Sequence, residues 1–505
     1  MKIAAAIAIL SCLTLHAGDK PAAKPPPAST PVIDAYPDVE TVSRAVKKAA
    51  SFARTSLSIA GGYATRWSLN LKKYQTFGTE SPTVIAIEDP GTPSVGLVMI
   101  RAYQVTGDKL YFQAAQEVKQ ALLWTQLASG GWDTLHDFAP AHALRRHYRR
   151  DLDAGDTERG TRTALSTLDD DKSQFALRFL LELAQLPESK DDKPLQDALK
   201  FGMDALLAAQ MPHGGWPQGF SGPADPSLPV KKPSFPQEWP RKWPELNYTG
   251  YVTLNDGNLL FVARLLTHAH KLTQDQRYLT ALKKLGDFHL LAQCPEPQPG
   301  WAQQYNANME PVWARKFEPP SVTPHETLWA MQTLHEVWLA TGDDKYKAPY
   351  EAAFAWLERC KLPGNQHARF YELHTNKPLY FVKDAYELTY DDSNLPTHYS
   401  FKSSGLQGEI DAFKKLIARP RDEQLAKRAD PPTPNAWLSK AKGAAPKAAA
   451  ALSTQNEEGV WTQDNMIDGS IFVKNMHAMI NYLEAARNAG HEFDKFSSEQ
   501  QPDKQ

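Results

Sequence analysis

The sequence has little cysteine, almost no net charge, and no long apolar run beyond its first residues. Only three of its 505 residues are cysteine, and the formal net charge at pH 7 is −2. Without an excess of positive charge there is no general attraction to nucleic acid or anionic lipid, so we expect neither as a partner. A polyanion could bind only through locally placed cations. No interior stretch is apolar for long enough to cross a bilayer, so we expect no membrane span.

Several common catalytic signatures are also missing. The histidines are scattered without the spacing of a zinc motif, which argues against a zinc enzyme. There is no phosphate-binding loop, no dinucleotide fingerprint and no G-x-S-x-G nucleophile turn.

The composition favours a large folded protein with many aromatic side chains. Apolar residues make up 42% and aromatic residues 10%, and there are 13 tryptophans and 38 prolines. This apolar content supports a large core, so a disordered chain is excluded. Many tryptophans suggest surfaces that stack on sugars, although core packing is the default for each one.

The N-terminus predicts an exported protein. Lys2 precedes the mostly apolar run Ile3–Leu15, and a loosely matching cleavage site follows, which indicates a signal peptide over residues 1–17. Residues 18–33 are rich in proline and predict a disordered tether. A lipoprotein anchored through Cys12 fits less well. The expected location is therefore secreted or periplasmic.

After removal of the signal peptide two cysteines remain, Cys294 and Cys360. They allow at most one disulfide, and two unpaired buried thiols are an equally good interpretation.

A repeated helical pattern predicts the fold class. Apolar residues recur at i, i+3, i+4 and i+7 in four stretches, and each is preceded by another helix of the same period. The first three stretches close in Gln, a turn and Gly-Trp. The four are Thr106–Trp132, Leu195–Trp216, Gln274–Trp301 and Thr341–Gly364. Alternating helix pairs predict an all-α protein, an α/α toroid (an incomplete helical barrel) with long loops and little strand.

The predicted domain organisation follows from composition. A catalytic toroid is expected over residues 34–416, a partly disordered linker over 417–455, and a C-terminal helix packing on the toroid over 456–490. The last segment, 491–505, is predicted to be a disordered tail. Two insertions, Ala139–Arg162 and Gly219–Trp243, are expected to be loops over the mouth of the toroid.

The stretch Trp301–Thr327 combines aromatic, charged and proline residues. Pro319 and Pro320 cannot donate backbone hydrogen bonds, which predicts an ordered non-helical connection ending where a helix begins near Pro324. Long loops of this composition are often functional. Arg315 lies among its aromatics, and the alternative is a rigid linker in which this arginine pairs with a glutamate.

Two acidic segments precede helices. Three consecutive carboxylates, Asp169–Asp171, repel one another unless a cation lies nearby, so calcium is a candidate beside ordinary helix capping. Asn255 and Asp256 open a later helix, and capping explains them equally well. Trp216 lies on a tight Gly-Gly-Trp turn, where sugar stacking and helix-closing packing are equally good interpretations.

A basic loop follows later in the chain. Arg369–Pro378 mixes Arg, Glu, His, Asn and Lys with Tyr371, which favours a cationic binding wall.

Several of these blocks, in this order, resemble the pectate lyases of polysaccharide lyase family 10. The resemblance covers roughly Gly91 to Ser403, with a weaker similarity to about Asn488. The blocks that carry it are SGGWDTLHDF, STLDDDKS, GGWPQ, VTLNDGNLL, WAQQYN, WARKFEPPS and RFYELHTNKPLY.

The resemblance implies a secreted α/α-toroid enzyme that cleaves polygalacturonate. The reaction it implies is calcium-assisted anti β-elimination, in which a base removes the C5 proton of a galacturonate and the 4-linked sugar leaves. The products are 4,5-unsaturated oligogalacturonides. The family's base is an arginine, and the WARKFEPPS block places that role on Arg315. Because arginine has a pKa above about 12, this role needs a strongly cationic environment and alkaline pH.

The resemblance also implies binding residues. Asp169 and Asp170 correspond to the calcium site, although Asp170, Asp171 and Lys172 differ from the family's N-G-A at these positions. Asn255 and Asp256 correspond to further substrate contacts.

Cationic and aromatic contacts are implied in the same way. Arg369 resembles the arginine that binds a substrate carboxylate, and Lys377 and Lys383 stand where the family often has arginine. Trp216 and Tyr371 correspond to platform or positioning residues. The expected partner is polygalacturonate or a related acidic polysaccharide, and the protein is expected to be a monomer.

Other functions fit part of the pattern. An α/α-toroid glycoside hydrolase, or another enzyme acting on uronic acids, would use Asp169 and Asp256 as its acid pair. A non-catalytic carbohydrate-binding protein would retain only the groove. The terpene cyclases share the Gln…Gly-Trp closures, but export and a polar site argue against them.

Overall fold

The computed structural model describes residues 36–429 and 433–500, with side chains up to residue 497. The predicted signal peptide and tether lie outside the described residues. The chain divides into two compact units. The first contains residues 167–174 and 203–429, and the second contains the described parts of 25–166, 175–202 and 430–505.

The described residues form sixteen α-helices. In chain order they are α1 Val39–Phe52, α2 Thr92–Thr106, α3 Lys109–Thr125, α4 Pro140–Ala143, α5 Arg149–Asp153, α6 Lys172–Ala184, α7 Lys193–Ala208, α8 Asn258–Thr273, α9 Gln276–Leu291, α10 Pro324–Thr341, α11 Tyr350–Arg359, α12 Leu406–Ile417, α13 Arg421–Lys427, α14 Pro434–Ser453, α15 Gly469–Ala489 and α16 His491–Gln500. Among them, none is both long and apolar enough to span a membrane.

Within each unit the long helices pack as pairs along the chain. In the first unit α8 packs on α9, and α10 packs on both; in the second, α2 packs on α3 and α14 on α15. The connection between α2 and α3 shows how the sequence sets a pair: Gly107 ends α2 in a left-handed conformation, and the Asp108 carboxylate caps α3. The predicted all-α class is confirmed, because the described residues are mostly helical and their long helices pack in pairs, while the α/α toroid stays a prediction.

The strands are short, as predicted, and lie in the loops. They are β1 Arg66–Ser68, β2 Tyr74–Thr76, β3 Thr79–Glu80, β4 Val84–Ala86, β5 Leu135–Asp137, β6 Ser166–Thr167, β7 Gly219–Phe220, β8 Val252–Thr253, β9 Gln304–Tyr305, β10 Ser321–Val322, β11 Lys361–Leu362, β12 Gln366–Ala368, β13 Phe370–Glu372, β14 Pro378–Phe381, β15 Leu388–Thr389, β16 Lys402–Ser403, β17 Thr462–Gln463 and β18 Met466–Asp468. In the first unit β10, β13, β14 and β15 form one antiparallel sheet, and β8 pairs with β9.

The Gln…Gly-Trp closures are structural joints. In each, a buried indole donates a hydrogen bond to a carbonyl of the preceding helix: Trp132 to Leu122, Trp216 to Leu206 and Trp301 to His289. The glutamine amide donates both to its own turn and to a later segment, as Gln210 does to Gly214 and Ala281. A fourth closure, Gln455–Trp461, was not recognised among the repeats of the sequence.

Two predictions about the C-terminal region are wrong. The segment 417–455 was predicted to be a partly disordered linker, but it contains α13 and the 20-residue helix α14. Its alanines, which resemble a low-complexity linker in composition, are strong helix formers, and one face of α14 is buried. The predicted tail likewise contains α16. The thiols of Cys294 and Cys360 are both unpaired and buried.

Candidate active site

Two segments of the first unit adopt the same turn just before a helix. The first acidic turn is Thr167–Lys172 (TLDDDK) and the second acidic turn is Thr253–Asn258 (TLNDGN). Each runs from a short strand through a single 3-10 turn into a helix. The residue in the middle has a positive φ in both, +47° at Asp170 and +52° at Asp256. Such a conformation is uncommon outside glycine, although aspartate tolerates it better than most residues.

The helix closures hold both turns in place. The Leu168 amide donates to the Gln218 carbonyl at 2.8 Å, and the Leu254 amide donates to the Gln303 carbonyl at 2.7 Å. Each glutamine comes two residues after a buried tryptophan of a Gly-Trp closure. The closures therefore position the acidic turns, which explains why both motifs recur together in the sequence.

The two turns bring three carboxylates together. Oxygen atoms of Asp169, Asp170 and Asp256 all lie within 4.8 Å of one another. Burial raises the pKa of Asp256 to about 7, and the charges of Asp170 and Asp169 add to this rise while Arg369 opposes it. Burial also raises the pKa of Asp169. We call these three residues the acidic cluster. The sequence predicted two of them as metal ligands and Asp256 as a substrate contact, without placing them together.

A buried lysine supplies a positive charge to the acidic cluster. The Lys172 ammonium lies 3.2 Å from an Asp169 oxygen and 3.4 Å from an Asp170 oxygen, and its side chain is only 3% exposed. At this position the sequence departs from the family pattern. The departure therefore has a clear electrostatic consequence, because part of the negative charge of the first acidic turn is neutralised within the turn itself.

Arg369 supports the second acidic turn. Its guanidinium lies 3.5 Å from an Asp256 oxygen and 3.4 Å from the Asn255 side-chain oxygen, and it stacks 4.3 Å from the centre of the Tyr399 ring. The residue is 4% exposed. The sequence predicted that Arg369 binds a substrate carboxylate, whereas its contacts in the structure are to the protein's own acidic turn.

Arg315 is held by a buried glutamate. Its Nε and Nη2 donate to the two carboxylate oxygens of Glu318 at 2.8 and 2.6 Å, and the Tyr399 hydroxyl donates to the same carboxylate at 2.9 Å. Burial lowers the pKa of Arg315, but the hydrogen bond and the charge of Glu318, together with Tyr399 and Tyr248, outweigh this effect and raise the pKa above its ordinary value. This confirms the alternative in which Arg315 pairs with a glutamate. The guanidinium is 41% exposed, so it is also open to solvent.

The prediction for the surrounding loop is confirmed. The stretch from Trp301 is non-helical, and α10 begins at Pro324. The proline-rich insertion packs onto this stretch, because the Trp243 indole donates to the Ala314 carbonyl and the Trp313 indole donates to the Pro240 carbonyl, both at 2.7 Å. These bonds fix the backbone just before Arg315.

Two predicted binding residues have structural positions instead. Trp216 is fully buried and closes a helix, so its ring faces are covered by protein and cannot stack on a sugar. Tyr371 is 1% exposed, and its hydroxyl is bonded to the Cys360 carbonyl and the Ala368 amide. Both corrections have one cause, since these rings fill the core of the first unit. Lys377 and Lys383 are exposed, and the Lys377 ammonium lies 5.2 Å from the centre of the Tyr390 ring.

Sequence reasoning missed two residues of the site. Tyr399 contacts Glu318 and Arg369 at once, although it is distant from both in sequence. Glu326 is fully buried in the first turn of α10, where burial raises its pKa and the charge of Arg369 opposes that rise. Neither residue belongs to a recognisable motif, so no signal in the single sequence could have identified them.

Comparison with known proteins bears on this geometry. Residues 141–367, which include both acidic turns and Arg315, match the family model described as pectic acid lyase. No curated protein matches the sequence.

Solved structures give weaker likenesses. A family 10 polysaccharide lyase from Cellvibrio cellulosa is 20% identical with a TM-score of 0.43, over 59% of this chain and 92% of that one. A mutant of that lyase in complex with trigalacturonic acid is 19% identical, also at 0.43, over 64% and 99%. The cellobiose 2-epimerase of Bacillus thermoamylovorans is 12% identical at 0.43, over 88% and 99%. At these TM-scores the likenesses carry no argument about function.

The match to the family model agrees with the sequence blocks and with the residues that the structure gathers. It covers the segment in which the two acidic turns and the Arg315 loop lie. The predicted resemblance is confirmed: residues 141–367 match the family model described as pectic acid lyase, and this match supports an enzyme of the polysaccharide lyase class.

Proposed function

We propose that this lyase cleaves polygalacturonate by calcium-assisted anti β-elimination and releases 4,5-unsaturated oligogalacturonides. In this reaction a base takes the C5 proton of a galacturonate, the electron pair of the C5–H bond forms the double bond between C4 and C5, and the bond from C4 to the leaving oxygen breaks. While Arg315 is charged the base is hydroxide from the alkaline medium, and the leaving oxygen takes its proton from water. The observation that carries the proposal is the acidic cluster, which lies within the matched segment and whose carboxylates are influenced by the charges of Arg315 and Arg369. The carboxylates can hold a cation, and the guanidinium groups can pair with the carboxylate of an acidic sugar. Binding such a sugar therefore uses both kinds of charge.

The residues of the acidic cluster suit a calcium ion. Calcium prefers about six to eight oxygen ligands, with carboxylates prominent among them. The raised pKa of Asp256 shows that burial and crowded negative charge disfavour its ionised form, and a divalent cation offsets that cost. Calcium held by Asp169, Asp170 and Asp256 would neutralise a uronate carboxylate and so make its C5 proton easier to remove. Lys172 competes for the same oxygens.

Arg315 is proposed as the catalytic residue, with a modified role. Removal of a proton by arginine requires the neutral guanidine, but the pairing with Glu318 stabilises the charged form. In the arrangement of the structure Arg315 is a cation, and we propose that it stabilises negative charge on the reacting uronate. The role of base that the resemblance implies requires Glu318 to release the guanidinium first.

The glycoside hydrolase alternative would use Asp169 and Asp256 as its acid pair, with carboxyl groups roughly 5 to 9.5 Å apart. What favours a cation site is the third carboxylate: oxygens of Asp169, Asp170 and Asp256 all lie within 4.8 Å of one another, as shared ligands of one cation would. Secretion or export to the periplasm is proposed from the N-terminal sequence.

Ultraviolet absorbance during incubation with polygalacturonate at alkaline pH tests the proposal, because the unsaturated product absorbs. We expect absorbance that grows with calcium and stops with chelator. Arg315→Ala should lower the rate by about 10²-fold or more, in line with loss of a charge-stabilising group. The matched control is Arg277→Ala, an exposed arginine of the same unit that pairs with Asp204 and Asp275.

A flat trace from folded wild-type protein would contradict the lyase proposal. Release of reducing ends without absorbance would then favour a hydrolase. Binding of the polymer without any product would favour a carbohydrate-binding protein.

A further inference from the structure

A cluster of basic and aromatic side chains adjoins Arg315 and has no part in the site described above. The Lys316 ammonium lies 4.0 Å from the centre of the Tyr386 ring, and the Tyr386 hydroxyl is 3.2 Å from Nδ1 of His398. Phe317 packs edge-on against His398 at 4.9 Å, and the Arg315 guanidinium lies 4.9 Å from the same Phe317 ring. The cluster is therefore continuous with the catalytic arginine.

The charge of this cluster is positive and is not compensated by an acid. Lys316 is exposed and makes no ion pair among the residues that the structure describes. Burial lowers the pKa of His398, and the charges of Lys316 and Arg315 lower it further, while no carboxylate acts on it in the opposite direction. Glu318, which follows Lys316 by two residues, is buried and already shared between Arg315 and Tyr399.

Tyr386 of this cluster has a strained backbone conformation. Tyr386 has a φ of +54°, a conformation that is rare for a bulky side chain and costs on the order of 1 kcal/mol or more. It lies in the turn between β14 and β15, where the Tyr386 amide donates to the Val382 carbonyl at 3.0 Å. Strain of this kind is typical of functional sites, since packing alone does not require a tyrosine at that position.

We propose that Lys316, Tyr386 and His398 form a further uronate subsite, which binds the carboxylate of a sugar next to the one at Arg315. The inference rests on the proposed function for the identity of the polymer. The Lys316 ammonium would pair with the carboxylate, the uncharged His398 ring would donate a hydrogen bond to it, and the aromatic rings would line the sugar. Lys316 and His398 are not among the residues to which the resemblance assigns a role.

Affinity electrophoresis in gels containing polygalacturonate, run with chelator, tests the subsite without turnover. We expect Lys316→Ala to weaken retardation of the protein about three- to tenfold in apparent dissociation constant, and Lys316→Arg to restore it. In gels containing an uncharged galactan both variants should migrate like wild type.

The matched control is Lys347→Ala, which removes the same charge from a lysine that also lies over an aromatic ring, 4.8 Å from Trp338. Retardation of Lys316→Ala within twofold of this control would overturn the proposal, as would a wild-type protein that is not retarded. The lyase function is tested separately by the absorbance assay. A flat absorbance trace would contradict that function without changing the result of this binding measurement.

Discussion

The first and second acidic turns share a backbone but neutralise their charge differently. The first carries three aspartates and its own buried Lys172, while the second has asparagine, aspartate and glycine at the equivalent positions and relies on Arg369 from a distant loop. The charge of Arg315 also acts on the first turn, where it opposes the rise in the pKa of Asp169 that burial causes. The same turn conformation thus occurs once with a lysine of its own that neutralises part of its negative charge, and once with an arginine supplied by a distant loop.

The difference indicates that the two turns have different roles in binding a cation. The second turn contributes the carboxylate with the strongest reason to bind a cation, since the pKa of Asp256 rises to about 7. The first turn adds further oxygens beside that carboxylate, while Lys172 neutralises part of the turn's own negative charge. Four substitutions test this comparison.

Asp256→Asn should have the largest effect. The amide keeps the shape of the second turn but removes the charge that completes the acidic cluster, so we expect the rate of product formation to fall by about 10²- to 10³-fold. Calcium binding, measured by calorimetry, should weaken in parallel. Asp391→Asn, in an exposed turn where the carboxylate bonds only to Ser393, is the control and should leave both unchanged.

The same substitution changes how stability depends on pH. The folded-state pKa of Asp256 is above its unfolded value, so its contribution to stability is fully present below the unfolded pKa and is lost as pH rises through about 7. In chelator, wild-type protein should therefore lose more stability than Asp256→Asn between about pH 5 and about pH 8. Equal losses would show that Asp256 is not perturbed by burial.

Glu318→Gln tests whether the arginine beside the first turn is a cation or a base. If Arg315 acts as a cation, the variant should lose about tenfold in rate through poorer positioning, with an unchanged pH profile. If Arg315 is the base, its pKa should fall without the glutamate, and the alkaline limb should move to lower pH.

Only the first outcome agrees with the cationic role proposed above. The matched control is Glu336→Gln, a buried glutamate that binds Arg428 in the same two-pronged geometry away from the site. It should be destabilised to a similar extent without loss of rate in the folded protein.

Lys172→Met should leave the first turn dependent on bound metal for the neutralisation of its negative charge. Removing the ammonium leaves the oxygens of Asp169 and Asp170 free of a competing cation, so calcium affinity should rise by about tenfold while the metal-free protein loses stability. Lys119→Met is the control, because Lys119 is also buried and paired, at 2.5 Å from Asp192. Unchanged calcium affinity in Lys172→Met would show that the lysine does not compete with metal.

Gly257→Ala should have the smallest effect and concerns stability alone. Gly257 has a φ of +73° in the second turn, whereas the equivalent residue of the first, Asp171, tolerates +61°. An added Cβ would meet no atom closer than 3.5 Å, so the cost is conformational, about 1 kcal/mol in the free energy of unfolding by denaturant. Gly408→Ala, in a helix with open space around it, should instead be neutral or slightly stabilising. A neutral Gly257→Ala would mean that the turn relaxes.

Much of the helical architecture could be predicted from the sequence. The 3.6-residue period located α2, α3 and α6 to α11, and Pro319 and Pro320 located the non-helical connection that ends at α10, because these signals act within one or two turns of chain. Local composition failed at α14, whose alanines serve a helix as well as a linker.

For the site, the sequence by itself determined which short blocks carry carboxylates and cations, and that Arg315 lies in an ordered loop. Only the tertiary structure decided which of them meet. Asp256 joins Asp169 and Asp170 because two helix closures anchor two turns side by side, and Tyr399 joins two arginines from a distant strand connection. Burial decided the roles of Trp216 and Tyr371 in the same way. The physical reason is that charge pairing and burial depend on distances in space, and residue order along the chain fixes those distances only within a few turns.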